Sequence, residues 1–180
     1  MSVIETLVET PLGPIGILVE DGVLCGLDLE PDQATAVEGT LPAMLREQLM
    51  AYFEDGSRGF ELPLDLRGTA FQVRVWEALQ EIPPGCTVTY GELARRLGTG
   101  ARAVGGACRA NPYLIVVPCH RVVAGNGLGG FAGDTSGRKL AVKRWLLRHE
   151  GAAIPDQLVS HPPQQVPCLQ GALESFFCRK

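Results

Sequence analysis

Cys119 lies in Val116-Val117-Pro118-Cys119-His120-Arg121, a thiol stiffened by proline on one side and followed by histidine and a cation. The thiolate is the nucleophilic form of cysteine, and a neighbouring histidine or cation draws its pKa towards working pH. Of the six cysteines, at positions 25, 86, 108, 119, 168 and 178, Cys119 alone has such a setting, so it is the expected nucleophile. Successive side chains on a strand point to opposite faces. Cys119 and His120 must therefore sit in a bend or communicate through water. A histidine that activates a thiol is usually oriented by a third group, and Glu150, at a helix end, is the acidic candidate. The alternative for Glu150 is an ordinary surface carboxylate.

The elements that must position these groups follow from periodicity and punctuation. Val3–Val8, Ile15–Val19 and Val23–Leu29 read as a β-meander, with turns at Gly13-Pro14 and Asp21-Gly22. Leu41–Phe53 has near-helical spacing of Leu41, Met44, Leu45, Leu49 and Phe53, with Pro42 in the first turn. Phe60–Leu66 alternates weakly and reads as a further strand. Thr69 caps a helix with Phe71, Val75, Trp76 and Leu79 on one face, stopped by Pro83-Pro84-Gly85. Thr89–Leu97 and Ala101–Ala110, joined through Gly98-Thr99-Gly100, form a helix-turn-helix candidate. Gly125–Gly137 is a glycine-rich loop containing Phe131 and Ser136, and Lys139–His149 is a closing helix with a basic outer face.

The second helix of the pair is thin, built on Ala101, Ala103, Gly105, Gly106, Ala107 and Ala110, with Arg102 and Arg109 projecting. Each helical glycine costs about 1 kcal/mol relative to alanine, so something must offset two of them. A helix about 10 to 12 Å across cannot enter a minor groove about 6 Å wide, but a stripped one approaches its walls closely. Tight helix-on-helix packing is the competing explanation.

The net charge of −4 conceals an asymmetry: residues 1–66 hold 2 basic and 13 acidic side chains, residues 67–150 hold 12 and 5. A basic segment fused to an acidic one suits a chain in which one part meets a polyanion, although two surfaces of opposite sign could also attract each other. No run approaches the about 18 apolar residues of a membrane span, and the start lacks a signal-peptide pattern. An intracellular protein without membrane contact is expected. With no C-x-x-C pair and three histidines, neither a disulfide scaffold nor a metal site is expected.

Gly68-Thr69-Ala70-Phe71-Gln72, Ile82-Pro83-Pro84-Gly85, Tyr90-Gly91-Glu92-Leu93-Ala94, Arg102-Ala103-Val104-Gly105-Gly106-Ala107, Asn111-Pro112, Val117-Pro118-Cys119-His120-Arg121-Val122-Val123 and Trp145-Leu146-Leu147-Arg148-His149-Glu150 resemble, in order and spacing, the O6-alkylguanine-DNA alkyltransferases. The resemblance implies an α/β protein: a small ribonuclease-H-like domain over 1–66, then a mostly helical, winged-helix-like acceptor domain with a helix-turn-helix over 67–154. Residues 155–180 form an extension of no assigned role. The resemblance further implies that Cys119 takes the alkyl group from O6 of guanine once and irreversibly, with Glu150, His120 and a water relay removing the thiol proton. Asn111 would position that water, and Tyr90 would neutralise charge on the departing guanine. The base must be flipped from the duplex. Arg102 would fill the space, and Ala103, Gly105, Gly106, Arg109 and Arg95 would meet double-stranded DNA from the minor groove, without sequence readout. Tyr90, Val122, Phe131, Ser136 and Lys143 would form the substrate pocket, with no cofactor or metal, in a monomer that is cytoplasmic, or nuclear if the source is eukaryotic.

Three departures from that family matter. Phe131 stands where many relatives have tyrosine. The stretch Gly133–Leu140 is about three residues longer than usual, which leaves Lys139 and Lys143 as rivals for the pocket lysine, with Lys143 favoured by counting back from Trp145. The chain also continues past Ile154. The competing functions are a non-enzymatic alkyltransferase-like protein that flips damaged bases, which would lack the acceptor cysteine, and a cysteine hydrolase.

Overall fold

The computed structural model describes residues 3–31 and 41–154, with side chains from residue 6 onward. The expected extension 155–180 lies outside the described residues. The chain opens with an antiparallel meander of β1 (Val3–Thr10), β2 (Gly13–Glu20) and β3 (Val23–Asp28). Asp21 and Gly22 both have positive φ, the backbone a two-residue hairpin turn requires. Ile15, Ile17 and Val19 on β2 and Leu24 and Leu27 on β3 bury one face of the sheet.

Helix α1 (Ala43–Glu54) turns Leu45, Leu49, Tyr52 and Phe53 inward. Pro42 is its cap residue and not part of its first turn, and Met44, expected on the apolar face, is 55% exposed. The expected strand at Phe60–Leu66 is absent. Its alternation is real, since Phe60, Leu62, Leu64 and Leu66 pack against the core, but Pro63 offers no amide to a ladder. Side chains replace that ladder: Glu61 N–H donates to Gln48 Oε1 at 2.7 Å, and Arg67 N–H to the Tyr113 hydroxyl at 2.9 Å.

Capping boxes start the next two helices. Thr69 and Gln72 cap α2 (Ala70–Gln80), and Thr89 and Glu92 cap α3 (Tyr90–Arg96). Gly98, at φ +63°, then turns the chain into α4 (Ala101–Arg109), so the helix-turn-helix stands as expected. Between α2 and α3 lies β4 (Val88–Thr89), which pairs in parallel with β5 (Val122–Val123). Strands this short leave no periodic signature, yet this one places the start of α3 beside the segment after Cys119. Helix α5 (Gly137–His149) closes the described chain.

One apolar core runs through both halves. At the seam, Leu27 N–H donates to Pro112 O at 2.8 Å, and a Cβ at Gly56 would sit 2.3 Å from the His149 carbonyl. Ion pairs play a small part there: among the described residues, Arg67–Glu20 and Lys139–Glu30 link the acidic and basic segments. Cys25, Cys108 and Cys119 are free thiols.

Candidate active site

The segment from Asn111 to Arg121 is shaped by two tight turns. Val116 N–H donates to Leu114 O at 2.8 Å across Ile115, whose φ of +71° is unusual for a β-branched residue. Such a residue costs about 1 to 3 kcal/mol and persists only where its surroundings enforce it. Cys119 N–H donates to Val117 O at 2.8 Å across Pro118, and the chain then makes a single 3₁₀ turn over Cys119–Arg121. The bend expected between thiol and imidazole is this turn. Buried Asn111 fastens it: its Nδ2 donates to Val117 O at 2.9 Å and to Cys119 Sγ at 3.3 Å, while Oδ1 accepts from Tyr113 N–H at 3.0 Å.

Glu150 is the cap residue at the C-terminus of α5, where the helix dipole disfavours a carboxylate. It is buried nonetheless, contrary to the surface alternative. Arg121 grips it in bidentate fashion, Nε to Oε2 at 2.9 Å and NH2 to Oε1 at 2.9 Å. His120 Nε2 donates to Oε1 at 2.7 Å, the Tyr52 hydroxyl donates to the same oxygen at 2.9 Å, and Gly85 N–H approaches Oε2 at 3.5 Å. Burial works to raise the Glu150 carboxyl, but the His120 and Arg121 charges and hydrogen bonds hold it far below the usual range. For His120 the balance is reversed: burial pushes it down against the pull of Glu150. A neutral imidazole donating through Nε2 leaves Nδ1 as an acceptor, and Nδ1 has no hydrogen-bond partner among the described residues.

Burial raises the Cys119 thiol, although the Asn111 hydrogen bond and Lys143 oppose the shift. The expectation of a thiol already drawn down by its neighbours is therefore corrected. Desolvation outweighs them, and the resting group is a thiol that must lose its proton during reaction. Of the two rival lysines, Lys143 is the one buried near the site. It is fully buried and its ammonium donates to Val122 O at 2.6 Å and Gly130 O at 2.9 Å, whereas Lys139 bridges Asp134 at the surface. Burial pushes the Lys143 ammonium down to about 8.

Cys119 opens onto a cavity of about 440 Å³, lined also by Tyr90, Phe131, Cys108 and, from α4, Arg102, Gly105, Gly106 and Arg109. The Tyr90 hydroxyl, held protonated by burial, donates to Gly130 O at 3.3 Å. The rim is a two-residue turn at Ala132 (φ +47°) and Gly133 (φ +91°), closed by Phe131 N–H to Asp134 O at 2.8 Å. Asp134 and Thr135 line the cavity, and Ser136, expected there, does not; it is the cap residue of α5. Val122 and Lys143, also expected to form the pocket, do not line the cavity; the Lys143 ammonium is bonded to the Val122 carbonyl instead.

Val104, Ala107 and Cys108 turn α4 inward, leaving Arg102, Ala103, Gly106 and Arg109 exposed, as is Arg95 on α3. A Cβ built at Gly105 or Gly106 meets nothing within 4 Å. Helix packing therefore does not require either glycine, and the packing explanation for the thin helix falls. Tyr52, Gly85 and Cys108 were not foreseen at the site. Tyr52 reads as one more apolar position of α1, and its partner lies 98 residues away, beyond any local pattern. Cys108 could have been found from its place on the inner face of α4.

Comparison with known proteins agrees with this geometry. The family model for the ribonuclease-like domain of 6-O-methylguanine DNA methyltransferase matches residues 3–66, and that for its DNA binding domain matches 70–152. The methylated-DNA–protein-cysteine methyltransferase of Mycolicibacterium paratuberculosis is 42% identical over 158 residues, covering 82% of this chain and 94% of that protein. A DNA base-flipping protein of Thermus thermophilus is 42% identical over 149 residues, covering 79% and 97%. The crystal structure of Mycobacterium tuberculosis OGT in complex with DNA aligns with TM-score 0.72 and 38% identity, covering 87% of this chain and 98% of that one. The chain belongs to the 6-O-methylguanine DNA methyltransferase family.

Proposed function

We propose that this protein repairs DNA by direct reversal, moving an alkyl group, typically methyl, from O6 of a flipped-out guanine to Cys119 in a reaction each molecule performs once. The observation that carries this reading is a buried thiol at the base of a cavity whose other wall is the exposed, glycine-bearing α4. The thiol proton passes through water to His120 Nδ1, which has no partner among the described residues, and Glu150 stabilises the imidazolium that results. The S–C bond forms as the C–O6 bond breaks, and the bonding pair leaves with the guanine oxygen. The Tyr90 hydroxyl, released from Gly130 O, neutralises charge on that leaving base. The product is a thioether, which water does not hydrolyse.

Helix α4 enters the minor groove with Ala103, Gly105, Gly106 and Arg109 against its walls, Arg95 beside them, and Arg102 in the space vacated by the base. Binding rests on phosphate contacts and shape, independent of sequence. Residues 1–66 and 67–154 form the two domains, and the protein acts as a cytoplasmic monomer. Among the described residues no helix is long and apolar enough to cross a membrane. The Thermus relative, a DNA base-flipping protein, supports base flipping as a second reading, and the presence of Cys119 favours transfer over flipping alone. Cys119→Ala should bind methylated duplex DNA and transfer nothing; transfer by this variant would refute the role of Cys119.

A further inference from the structure

Resting on that reading, we infer that Tyr52, on α1 of the acidic N-terminal segment, is a positioning residue of the proton relay, holding Glu150 Oε1 and keeping His120 neutral. Three donors converge on this one oxygen: His120 Nε2 at 2.7 Å, the Tyr52 hydroxyl at 2.9 Å and Arg121 NH2 at 2.9 Å. Each donor withdraws charge from Oε1, so each of the others meets a weaker acceptor. An imidazolium needs that acceptor more than a neutral imidazole does. Tyr52 therefore disfavours protonation of His120, and Nδ1 stays open to receive the thiol proton.

Packing alone does not explain the hydroxyl. The Tyr52 ring lies against Phe53, Phe60 and His149 at centroid distances of 5.6, 5.2 and 5.4 Å, contacts that phenylalanine would keep. Burial and the Glu150 charge hold the phenol protonated, so it remains a donor throughout the working pH range. His120 is faced from its own turn by Arg121, from α5 by Lys143 and Glu150, and from the glycine-rich loop by the uncharged ring of Phe131. His149 Nε2 in turn donates to the Tyr52 carbonyl at 2.7 Å and is faced by Asp55. Among these groups, the Tyr52 hydroxyl is the one supplied to the Glu150 carboxylate by the acidic segment.

The test is the titration of the His120 ring by NMR in the DNA-free protein, together with the pH dependence of methyl transfer from O6-methylguanine duplex DNA. In Tyr52→Phe the His120 midpoint should rise by about half a pH unit or more, and the acid limb of the rate should move with it. Replacement of Tyr52 by 3-fluorotyrosine, a stronger donor of nearly the same shape, should move both the other way, and it carries the test if the phenylalanine variant does not fold. An unchanged His120 midpoint in either protein would overturn the inference. Wild-type protein that shows these shifts relative to the variants but transfers no methyl group would instead refute the repair reading, leaving the inference about Tyr52 intact.

Discussion

The two sides of Cys119 are built on opposite terms. Behind it, Glu150, Arg121, His120 and Tyr52 form a buried network in which a single carboxylate accepts from four residues at 2.7 to 3.5 Å. In front, α4 presents two glycines whose missing side chains would touch nothing within 4 Å. The network is intelligible from the fold alone, because a buried carboxylate must be paired and hydrogen-bonded. The bare helix is not, since alanine would make it more stable with no clash. The difference locates what the chain is shaped against: protein at the back and an external surface at the front.

The largest expected effect breaks the back. Glu150→Gln removes the charge that pairs Arg121 and orients His120, so methyl transfer should slow by about a hundredfold or more. The same change should lower stability by about 3 kcal/mol, because it strands a buried guanidinium. Rate and denaturation measurements on one preparation check both. Next comes the front. Arg102→Ala should slow repair in duplex DNA by about tenfold or more, with little effect on reaction with free O6-alkylated guanine, because only the duplex requires flipping. Equal losses on both substrates would remove Arg102 from that role.

Gly106→Ala sharpens the comparison because its two effects have opposite signs. Stability should increase by about 0.5 to 1 kcal/mol while affinity for duplex DNA falls, as read by denaturant melts and DNA titration. A stabilised variant with unchanged affinity would mean that the bare face does not meet DNA. Last comes the pH dependence that Lys143 confers. Its folded value of about 8 lies below that of an ordinary lysine, so the unfolded chain binds more protons between the two values. The stability of wild type relative to Lys143→Met should therefore rise as pH climbs from about 8 to about 10.5. A flat difference in paired melts across that window would show that the buried ammonium does not titrate there.

The sequence made the front of the site easier to read than the back. Arg102, Gly105, Gly106 and the helix-turn-helix follow from composition and turn chemistry within some twenty residues, and Cys119 from its own neighbours. The meander and most helices were likewise local. What escaped notice depended on distant partners: Tyr52 on Glu150, the parallel pair Val88–Val122, and the side-chain hydrogen bonds that leave Phe60–Leu66 without a ladder. The thiol was misjudged for a related reason. The flanking His120 and Arg121 are visible in the sequence, but both turn onto Glu150, and the full burial that raises the thiol is a property of the packed core.

The central claim is that Cys119 is consumed by the lesion. The most direct measurement is mass spectrometry of the Cys119 peptide after incubating the protein with excess O6-methylguanine duplex DNA. One methyl group per chain on Cys119, with an equal quantity of guanine restored and no further turnover, is the expected result. Unmodified Cys119 with methylguanine still in the DNA, or repair that continues beyond one equivalent, would contradict it.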